Sequence, residues 1–320
     1  AAVKICLWTK RSILGEGVCY KQKFYGINCH QCMQMTPCVP FCNHACVFCW
    51  RDNTIHRPDW EGDVDAPSVL LDECIQGQRA LLTGFGGNTK ADARKFKEAQ
   101  DPKHVAISLD GEPTLYPLLP ELIGEAHSRK LTTFLVTNGG NPEMIRKLDE
   151  TGSLPTQLYV SVSAPDEKTF KRVIIPLKPS GWNKFNESLA LLPELDTRTT
   201  YRITLVKGCN DSNLQGYMDL IEKGKPDFIE VKAYMALGKS RDRLGLIFMP
   251  EHAEVKERRY SLRQNPAMFS LTSSRSRAFA CSLKTRRPRG KEKSSSKRRT
   301  AFASSRGCRE QDRKSLLGAR

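Results

Sequence analysis

The chain has 320 residues, of which 39% are hydrophobic, so it is long enough to bury the core of one large domain or two small ones. Its net charge of +16 lies entirely in residues 258–320, which carry 19 Lys and Arg against 3 Asp and Glu, whereas residues 1–257 carry 32 of each. The charge therefore does not indicate what the main body binds. No run of 18 apolar residues occurs, which excludes a membrane-spanning helix, and no secretory leader precedes the first cysteines. We expect a cytoplasmic protein with reduced thiols.

The first 56 residues contain eight of the twelve cysteines and show no clear apolar period, so we expect them to be loop-like. Residues 57–67 are polar with two prolines and are typical of a connection. Residues 68–85 have apolar positions at helical spacing and lead into the sequence GFGGN. This sequence lacks the Lys-Ser/Thr of a phosphate loop and indicates a turn that ends the helix.

From residue 104 onward, short apolar runs alternate with helical patterns. The predicted strands are 104–109, 132–138, 157–165, 201–208 and 228–235. The predicted helices are 118–130, 142–151, 166–175, 183–192 and 214–224. This alternation predicts an α/β fold with a parallel sheet, and five or six units fit a closed or partial (β/α)6 barrel, with its chemistry at the C-terminal strand ends. A doubly wound open sheet is the alternative.

Beyond residue 257 the apolar period is lost and the sequence is mostly Ser, Arg and Lys. A segment of this composition buries too little apolar surface to offset its ordering entropy, so we expect a disordered basic tail. We interpret it as a solvated tail or the product of a reading-frame shift rather than as an RNA-binding arm. The predicted parts are an N-terminal extension (1–40), a barrel (41–257) and the tail (258–320).

The sequence CNHACVFCW contains the triplet Cys42, Cys46 and Cys49 with the spacing C-x3-C-x2-C. Three thiolates can hold three irons of a [4Fe–4S] cube and leave the fourth iron open to a non-protein ligand. S-adenosylmethionine can chelate that iron, and one electron then yields a 5′-deoxyadenosyl radical. A zinc site would be expected to add a fourth Cys or His at finger-like spacing, and His44 lies inside the triplet, too close to fold back. The triplet favours a radical enzyme.

Polar residues follow three successive predicted strands. Gly111 permits close backbone approach, and Glu112 can bond the ammonium group of S-adenosylmethionine. Asn138 is placed to bond ribose hydroxyls, and Ser161 and Ser163 end the third strand. Each residue also has a purely structural explanation as part of a turn or a helix cap. Because the strand ends of a barrel converge, the set predicts one cofactor-binding pocket.

Five more cysteines precede the triplet: Cys6, Cys19, Cys29, Cys32 and Cys38. Scattered reduced thiols are a poor explanation for five cysteines in so short a segment. Three of them would suffice for a second cube with an open iron. The interval of 13 residues occurs twice, from Cys6 to Cys19 and from Cys19 to Cys32, but spacing alone does not decide which three are ligands.

Several stretches, among them ICLWTK, GEGVCYKQKFYGI, CMQMTPCVPFCNHACVFCWRD and YVSVSAPDEKTFKRV, resemble the radical S-adenosylmethionine 4-demethylwyosine synthases in their archaeal form. The resemblance extends from about residue 3 to residue 257. Members of this family condense pyruvate with N1-methylguanosine next to the anticodon of tRNA(Phe) and so build the third ring of the wyosine bases. The resemblance thus implies a cytoplasmic, monomeric carbon–carbon lyase that uses S-adenosylmethionine, pyruvate and two [4Fe–4S] clusters.

The resemblance also assigns individual residues. It gives the radical cluster to Cys42, Cys46 and Cys49, and the second cluster to Cys6, Cys19 and Cys32. Cys29 and Cys38 are left as ordinary thiols. Lys21 matches the family lysine that forms a Schiff base with pyruvate, and Lys23 is its nearby competitor. Arg241 and Arg243, which follow the last predicted strand, are candidate RNA contacts.

The mechanism that this resemblance implies begins when the deoxyadenosyl radical takes hydrogen from the N-methyl group. The resulting carbon radical attacks C2 of pyruvate, the C1–C2 bond breaks with loss of a one-carbon product, and an imine to the exocyclic amine closes the ring. The base must leave its stack to reach the pocket. The resemblance further implies a separate flavodoxin- or ferredoxin-like electron donor, and an ordered C-terminal segment in relatives that the basic tail replaces here.

Two other classes of function remain open at this point. One is a different two-cluster radical enzyme that acts on a peptide or a small molecule. The other is a non-catalytic iron–sulfur electron carrier or a zinc-dependent RNA-binding protein. Glu112 and Asn138 would have no task in the second class.

Overall fold

One eight-stranded sheet runs through the residues that the computed structural model describes, 1–263 and 281–284. Its strands are β1 Ala2–Lys4, β2 Cys32–Thr36, β3 His104–Ile107, β4 Thr132–Thr137, β5 Gln157–Ser161, β6 Arg198–Leu205, β7 Phe228–Ala233 and β8 Cys281–Lys284. They are paired in sequence order; β2 to β7 are parallel, and β1 and β8 are antiparallel. Six parallel strands in unbroken order confirm the partial (β/α)6 barrel, because a doubly wound sheet reverses its strand order.

Helices flank the strands of this sheet. They are α1 Leu7–Ile13, α2 Tyr20–Tyr25, α3 Pro67–Leu82, α4 Ala93–Ala99, α5 Leu119–Ser128, α6 Pro142–Glu150, α7 Glu167–Thr169, α8 Gly181–Leu191, α9 Leu214–Gly224, α10 Ser240–Arg243 and α11 His252–Arg263. Local signals set several starts: the Asn213 side chain caps α9 by accepting from Gly216 N at 2.9 Å. The predicted turn after α3 is confirmed as a single 3-10 turn, Thr83–Phe85.

Alternation along the strands separates an outer core from an inner one. Leu135 and Leu158 belong to the large cluster between sheet and helices. Their neighbours Phe134 and Tyr159 belong to a small cluster with Tyr25 of α2. Helix α2 therefore packs against the inner face of the barrel, and it brings the residues around Lys21 into the interior.

The N-terminal region is not loop-like, which corrects two predictions. It forms β1, α1, α2 and β2, and β2 pairs in parallel with β3. The predicted boundary at residue 40 is wrong as well, because the first barrel strand lies before it. The strand was missed because it is short and its apolar residues, the fully buried Met33 and Met35, stand among cysteines.

The ordered part also continues past residue 257, which corrects the predicted start of the tail. Helix α11 runs to Arg263, with Val255 and Leu262 buried, and β8 pairs with β7. The helix was missed because two anchoring residues in a strongly charged stretch give a weak periodic signal. Residues 264–280 and 285–320, where most of the predicted tail falls, lie outside the described residues. Among the described helices, none combines the length and apolar character needed to cross a bilayer.

Candidate active site

The cysteine triplet lies in the loop that follows β2. Backbone hydrogen bonds fix this loop along its length: Ala45 N donates to Ile175 O and Val47 N to Val173 O, both at 2.9 Å. The His44 ring packs edge-on against Phe170, with the two ring centroids 5.4 Å apart. The loop therefore presents its cysteines from a backbone that is already held by the segment after β5.

Burial raises the pKa of Cys42, Cys46 and Cys49, and the charges of neighbouring thiolates raise those of Cys42 and Cys46 further. A bound metal reverses this effect, because a coordinating thiol is deprotonated. No three Cys, His, Asp or Glu side chains within the described residues surround one point as the ligands of a single ion do. A cubane differs because each thiolate binds a different iron atom, so the donor set fits a cluster.

Arg243 holds this loop in place. Its Nε donates to Val47 O at 3.2 Å, Nη1 to Asn53 Oδ1 at 3.0 Å, and Nη2 to Arg51 O at 3.1 Å and to Cys49 O. These bonds occupy the guanidinium, so the prediction of Arg243 as an RNA contact is wrong for this geometry. Arg241 is exposed, and its Nε donates a hydrogen bond to Ala236 O. Its contact with RNA stays a prediction.

Gly111 follows β3 at a point where only glycine fits. Its φ is +64°, and a Cβ there would lie 1.7 Å from Cys38 O. This contact confirms a close backbone approach between the end of β3 and the segment that leads into the cysteine loop. Binding of a ligand at Gly111 stays a prediction.

Glu112 is 1% exposed, and it links the ends of β3 and β4. Its Oε1 accepts from Thr137 Oγ1 at 2.6 Å and from Thr114, and its Oε2 accepts from Asn138 N at 2.6 Å. Burial raises the pKa of Glu112, while these donors lower it. The carboxylate thus positions Asn138, and its predicted bond to the ammonium group of S-adenosylmethionine stays untested.

Asn138 connects β4 to the cysteine loop. Its Nδ2 donates to Asn43 Oδ1 at 2.7 Å and lies 3.8 Å from Cys42 Sγ. The structure therefore brings this predicted ribose-binding residue next to the triplet.

The two serines after β5 have different environments. Ser161 is half-buried at the last position of β5, so it remains a candidate. Ser163 is fully buried, its Oγ accepts from Thr204 N at 2.9 Å, and its carbonyl accepts from Asn210. The prediction of Ser163 as a cofactor ligand is wrong in this geometry, because its groups join β5 to β6. The strand has ended at Ser161, so alternation no longer fixes where Ser163 points.

A second group of cysteines lines a cavity of about 330 Å³ on the inner side of the barrel. Cys6 and Cys19 immediately precede α1 and α2, and Cys32 begins β2. The cavity thus unites the three cysteines that the family resemblance assigned to the second cluster. Cys29, predicted to be an ordinary thiol, also lines it, and a hydrogen bond from Cys19 lowers its pKa to about 6. Cys38 is not among the lining residues.

Lys21 lies in the same cavity, 8% exposed, with Nζ 4.2 Å from the Phe134 ring centroid. Burial lowers its pKa, which favours the neutral, nucleophilic amine. Lys23, the predicted competitor, is exposed on the other side of α2. The geometry favours Lys21.

Among the residues that line this cavity, the sequence analysis missed Arg202 and Lys232. Arg202 and Lys232 stand on the inward-facing positions of β6 and β7, and strand periodicity could have identified them. Trp50 is 39% exposed, with Lys4 Nζ 5.0 Å from its ring centroid, and only its place beside the triplet pointed to it.

A six-stranded parallel barrel with a three-cysteine loop after its first parallel strand defines the radical S-adenosylmethionine class. The profile of the "Radical SAM superfamily" matches residues 36–221, and that of "Wyosine base formation" matches residues 223–286. The second match again places the end of the family region beyond residue 257. The class implies S-adenosylmethionine and a [4Fe–4S] cluster.

Relatives with similar sequences identify the family within this class. The tRNA 4-demethylwyosine synthases of Pyrococcus abyssi and Pyrococcus horikoshii are 48% and 47% identical, over 80% of this chain and 75% of each relative. The synthase of Arabidopsis thaliana is 41% identical, over 80% of this chain and 39% of the relative. The chain belongs to the family of S-adenosylmethionine-dependent tRNA 4-demethylwyosine synthases.

Two solved structures agree with this assignment. A structure of TYW1 with a lysine–pyruvate adduct is 37% identical, with a TM-score of 0.78 over 88% of this chain and 89% of that one. The crystal structure of archaeal TYW1 is 33% identical, with a TM-score of 0.72 over the same shares.

Proposed function

We propose that the chain converts N1-methylguanosine, next to the anticodon of tRNA(Phe), into 4-demethylwyosine with pyruvate as the second substrate. The observation that carries this proposal is the place of Lys21, whose amine shares one cavity with Cys6, Cys19 and Cys32. The relative solved with a lysine–pyruvate adduct supports it. Lys21 attacks C2 of pyruvate, a C=N bond forms, and the carbonyl oxygen leaves as water.

The two groups of cysteines would hold two [4Fe–4S] clusters. Cys42, Cys46 and Cys49 would hold the radical cluster, which would supply the electron for reductive cleavage of S-adenosylmethionine. Glu112 positions Asn138 beside Cys42 for this cofactor. Cys6, Cys19 and Cys32 would hold the second cluster within reach of the pyruvate bound to Lys21.

The RNA base enters a region that aromatic and basic residues surround. Trp50 lies at the wall of the Lys21 cavity and directly after Cys49, so a flipped purine can stack there within reach of both groups of cysteines. Arg241 is a candidate contact for the flanking phosphates. A separate flavodoxin- or ferredoxin-like electron donor, a monomeric state and a cytoplasmic location belong to the same proposal.

The test uses anaerobically reconstituted protein with tRNA(Phe) carrying N1-methylguanosine, S-adenosylmethionine, pyruvate and a reductant. We expect the tricyclic base in the nuclease digest, and a pyruvate adduct on Lys21 after borohydride reduction. Lys21→Met should abolish both, whereas Lys23→Met, the matched control on the exposed face of α2, should behave as wild type. Tricyclic product from Lys21→Met would contradict the proposal.

A further inference from the structure

A second lysine reaches the Lys21 cavity from β7. Glu230 and Lys232 are two residues apart on this strand, so both face the barrel interior. Glu230 pairs with Arg202 of β6 at 3.1 Å, and Lys232 lies opposite Thr204, nearer the C-terminal end. Lys232 lines the same cavity as Lys21. It thus stands at the end of the barrel where parallel strands place their chemistry.

The basic residues of this cavity have different partners. Arg202 donates from Nε to Glu230 Oε2 at 3.1 Å and from Nη2 to the Tyr20 hydroxyl at 2.9 Å. Lys4 lies against Trp50. The Lys232 side chain forms no hydrogen bond or ion pair with any residue in the part of the chain that the structure describes.

A buried amine without a partner is a candidate binding site for an anion. Burial and, to a smaller extent, the Arg202 charge lower the pKa of Lys232 to about 8, although the charges of Glu230 and Cys49 oppose them. Keeping such a cation in the cavity costs free energy that a bound anion would offset. The cavity walls contribute four basic residues and no acidic one.

We propose that Lys232 binds the carboxylate of pyruvate while Lys21 engages its C2 carbonyl. The inference rests on the proposed function and names a residue that selects its co-substrate. Pyruvate carries an anionic carboxylate next to an electrophilic carbonyl, so two amines in one cavity match its two groups. The Lys232 ammonium donates a charge-assisted hydrogen bond to a carboxylate oxygen, which holds C2 in place for attack by Lys21.

The test measures the pyruvate concentration that gives half-maximal adduct on Lys21 after borohydride reduction of the reconstituted protein. Methyl pyruvate, which keeps the C2 carbonyl but has no charge, is the comparison probe. Lys232→Met should raise the half-maximal concentration of pyruvate at least about tenfold and leave that of methyl pyruvate unchanged. Lys232→Arg, which keeps a cation, should retain most of the preference for pyruvate.

Lys103→Met is the matched control, because Lys103 is exposed, pairs with Asp101 and lies just before β3 at the opposite end of the barrel. It should leave both probes unchanged. Equal half-maximal concentrations in wild type and Lys232→Met would overturn the inference and leave the proposed function standing. So would a Lys232→Met protein whose only change is in the resonance spectrum of its clusters, since Lys232 would then act on a cluster. Wild-type protein that forms no adduct would overturn both.

Discussion

Single side chains fix the geometry around the predicted radical cluster. Arg243 donates to three backbone carbonyls of the cysteine loop and to Asn53, and Glu112 holds Asn138 against Cys42. Both residues can affect the cluster site without contacting a substrate. Because the loop has little regular structure of its own, these bonds replace the hydrogen bonds that a helix or strand would supply.

Replacing Arg243 therefore tests the loop rather than RNA binding. Arg243→Met leaves four acceptors without their donor, so we expect a loss of at least about 2 kcal/mol in unfolding free energy and a lower yield of the triplet cluster. Chemical denaturation and iron analysis measure the two effects. Arg241→Met, on the exposed side of α10, should keep both values and weaken tRNA binding. Identical behaviour of the two variants would refute this division of roles.

At the scale of single residues, the sequence predicted which side chains have suitable chemistry, but it did not predict where those side chains point. The triplet, Gly111 and Asn138 could be identified because their residue types and spacing follow from what they have to do. Ser163 and Arg243 were misassigned because sequence position near a strand end does not say whether a side chain faces the cavity or the backbone around it. Lys232 was missed because a lysine in a strand also fits a solvent-exposed position.

The long strands and helices of the barrel were predictable, whereas its first and last elements were not. Strands β4 and β5 each contain a short apolar run, residues 134–136 and 158–160, which is typical of strands whose two faces are covered. Strand β2, CMQMT, alternates its two methionines with Cys, Gln and Thr, and β8 lies within a Ser- and Arg-rich stretch. Pairing with a neighbour stabilises these two strands, and that neighbour is distant in sequence.

The start of β3 contains a histidine that should make stability depend on pH. Asn28 N donates to His104 Nε2 at 3.2 Å, so the neutral ring carries its proton on Nδ1 and faces Thr132 Oγ1 at 2.6 Å. Burial lowers the pKa of His104 to about 4, with smaller contributions from Lys21 and His30. The unfolded chain therefore binds the proton first, and stability falls as the pH drops from about 6.5 towards 4.

We expect His104→Gln to weaken this dependence. Between pH 7 and pH 5 the wild-type chain should lose about 2 kcal/mol more unfolding free energy than the variant. Urea titrations at the two pH values measure the difference. His252→Gln, at the exposed start of α11, is the control and should follow the wild type. An equal slope for His104→Gln would show that the ring does not titrate in this window.

The whole molecule is expected to carry two separable metal sites. Anaerobic reconstitution should give about eight irons per chain, and Cys42→Ala or Cys32→Ala should each retain about four. Cys42→Ala should lose cleavage of S-adenosylmethionine, whereas Cys32→Ala should keep uncoupled cleavage and lose the response of the resonance spectrum to pyruvate. A wild-type protein with about four irons and no pyruvate response would contradict the two-cluster proposal.

The positive charge is distributed unevenly along the whole chain, and this distribution can be tested by truncation. Residues 1–257 are neutral overall, and the excess of +16 lies beyond them. A chain that ends at Arg287 loses 11 Lys and Arg and 3 Asp and Glu, which is half of this excess. It should modify tRNA(Phe) at the full-length rate, while its affinity for unrelated RNA falls and depends less steeply on salt. Filter binding over a range of salt concentrations and a modification assay provide the two readouts. Loss of modification would assign the removed residues a specific role in substrate binding.

The bonds from Arg243 also bear on how such enzymes can be recombined. This residue lies in the region matched by the wyosine profile, yet it contacts carbonyls in the region shared with all radical enzymes of the class. The two regions therefore cannot be exchanged independently between radical enzymes. A chimera that joins residues 1–221 of this chain to a C-terminal part from a different radical enzyme would inherit every cysteine of the triplet and lose the support of the loop that presents them.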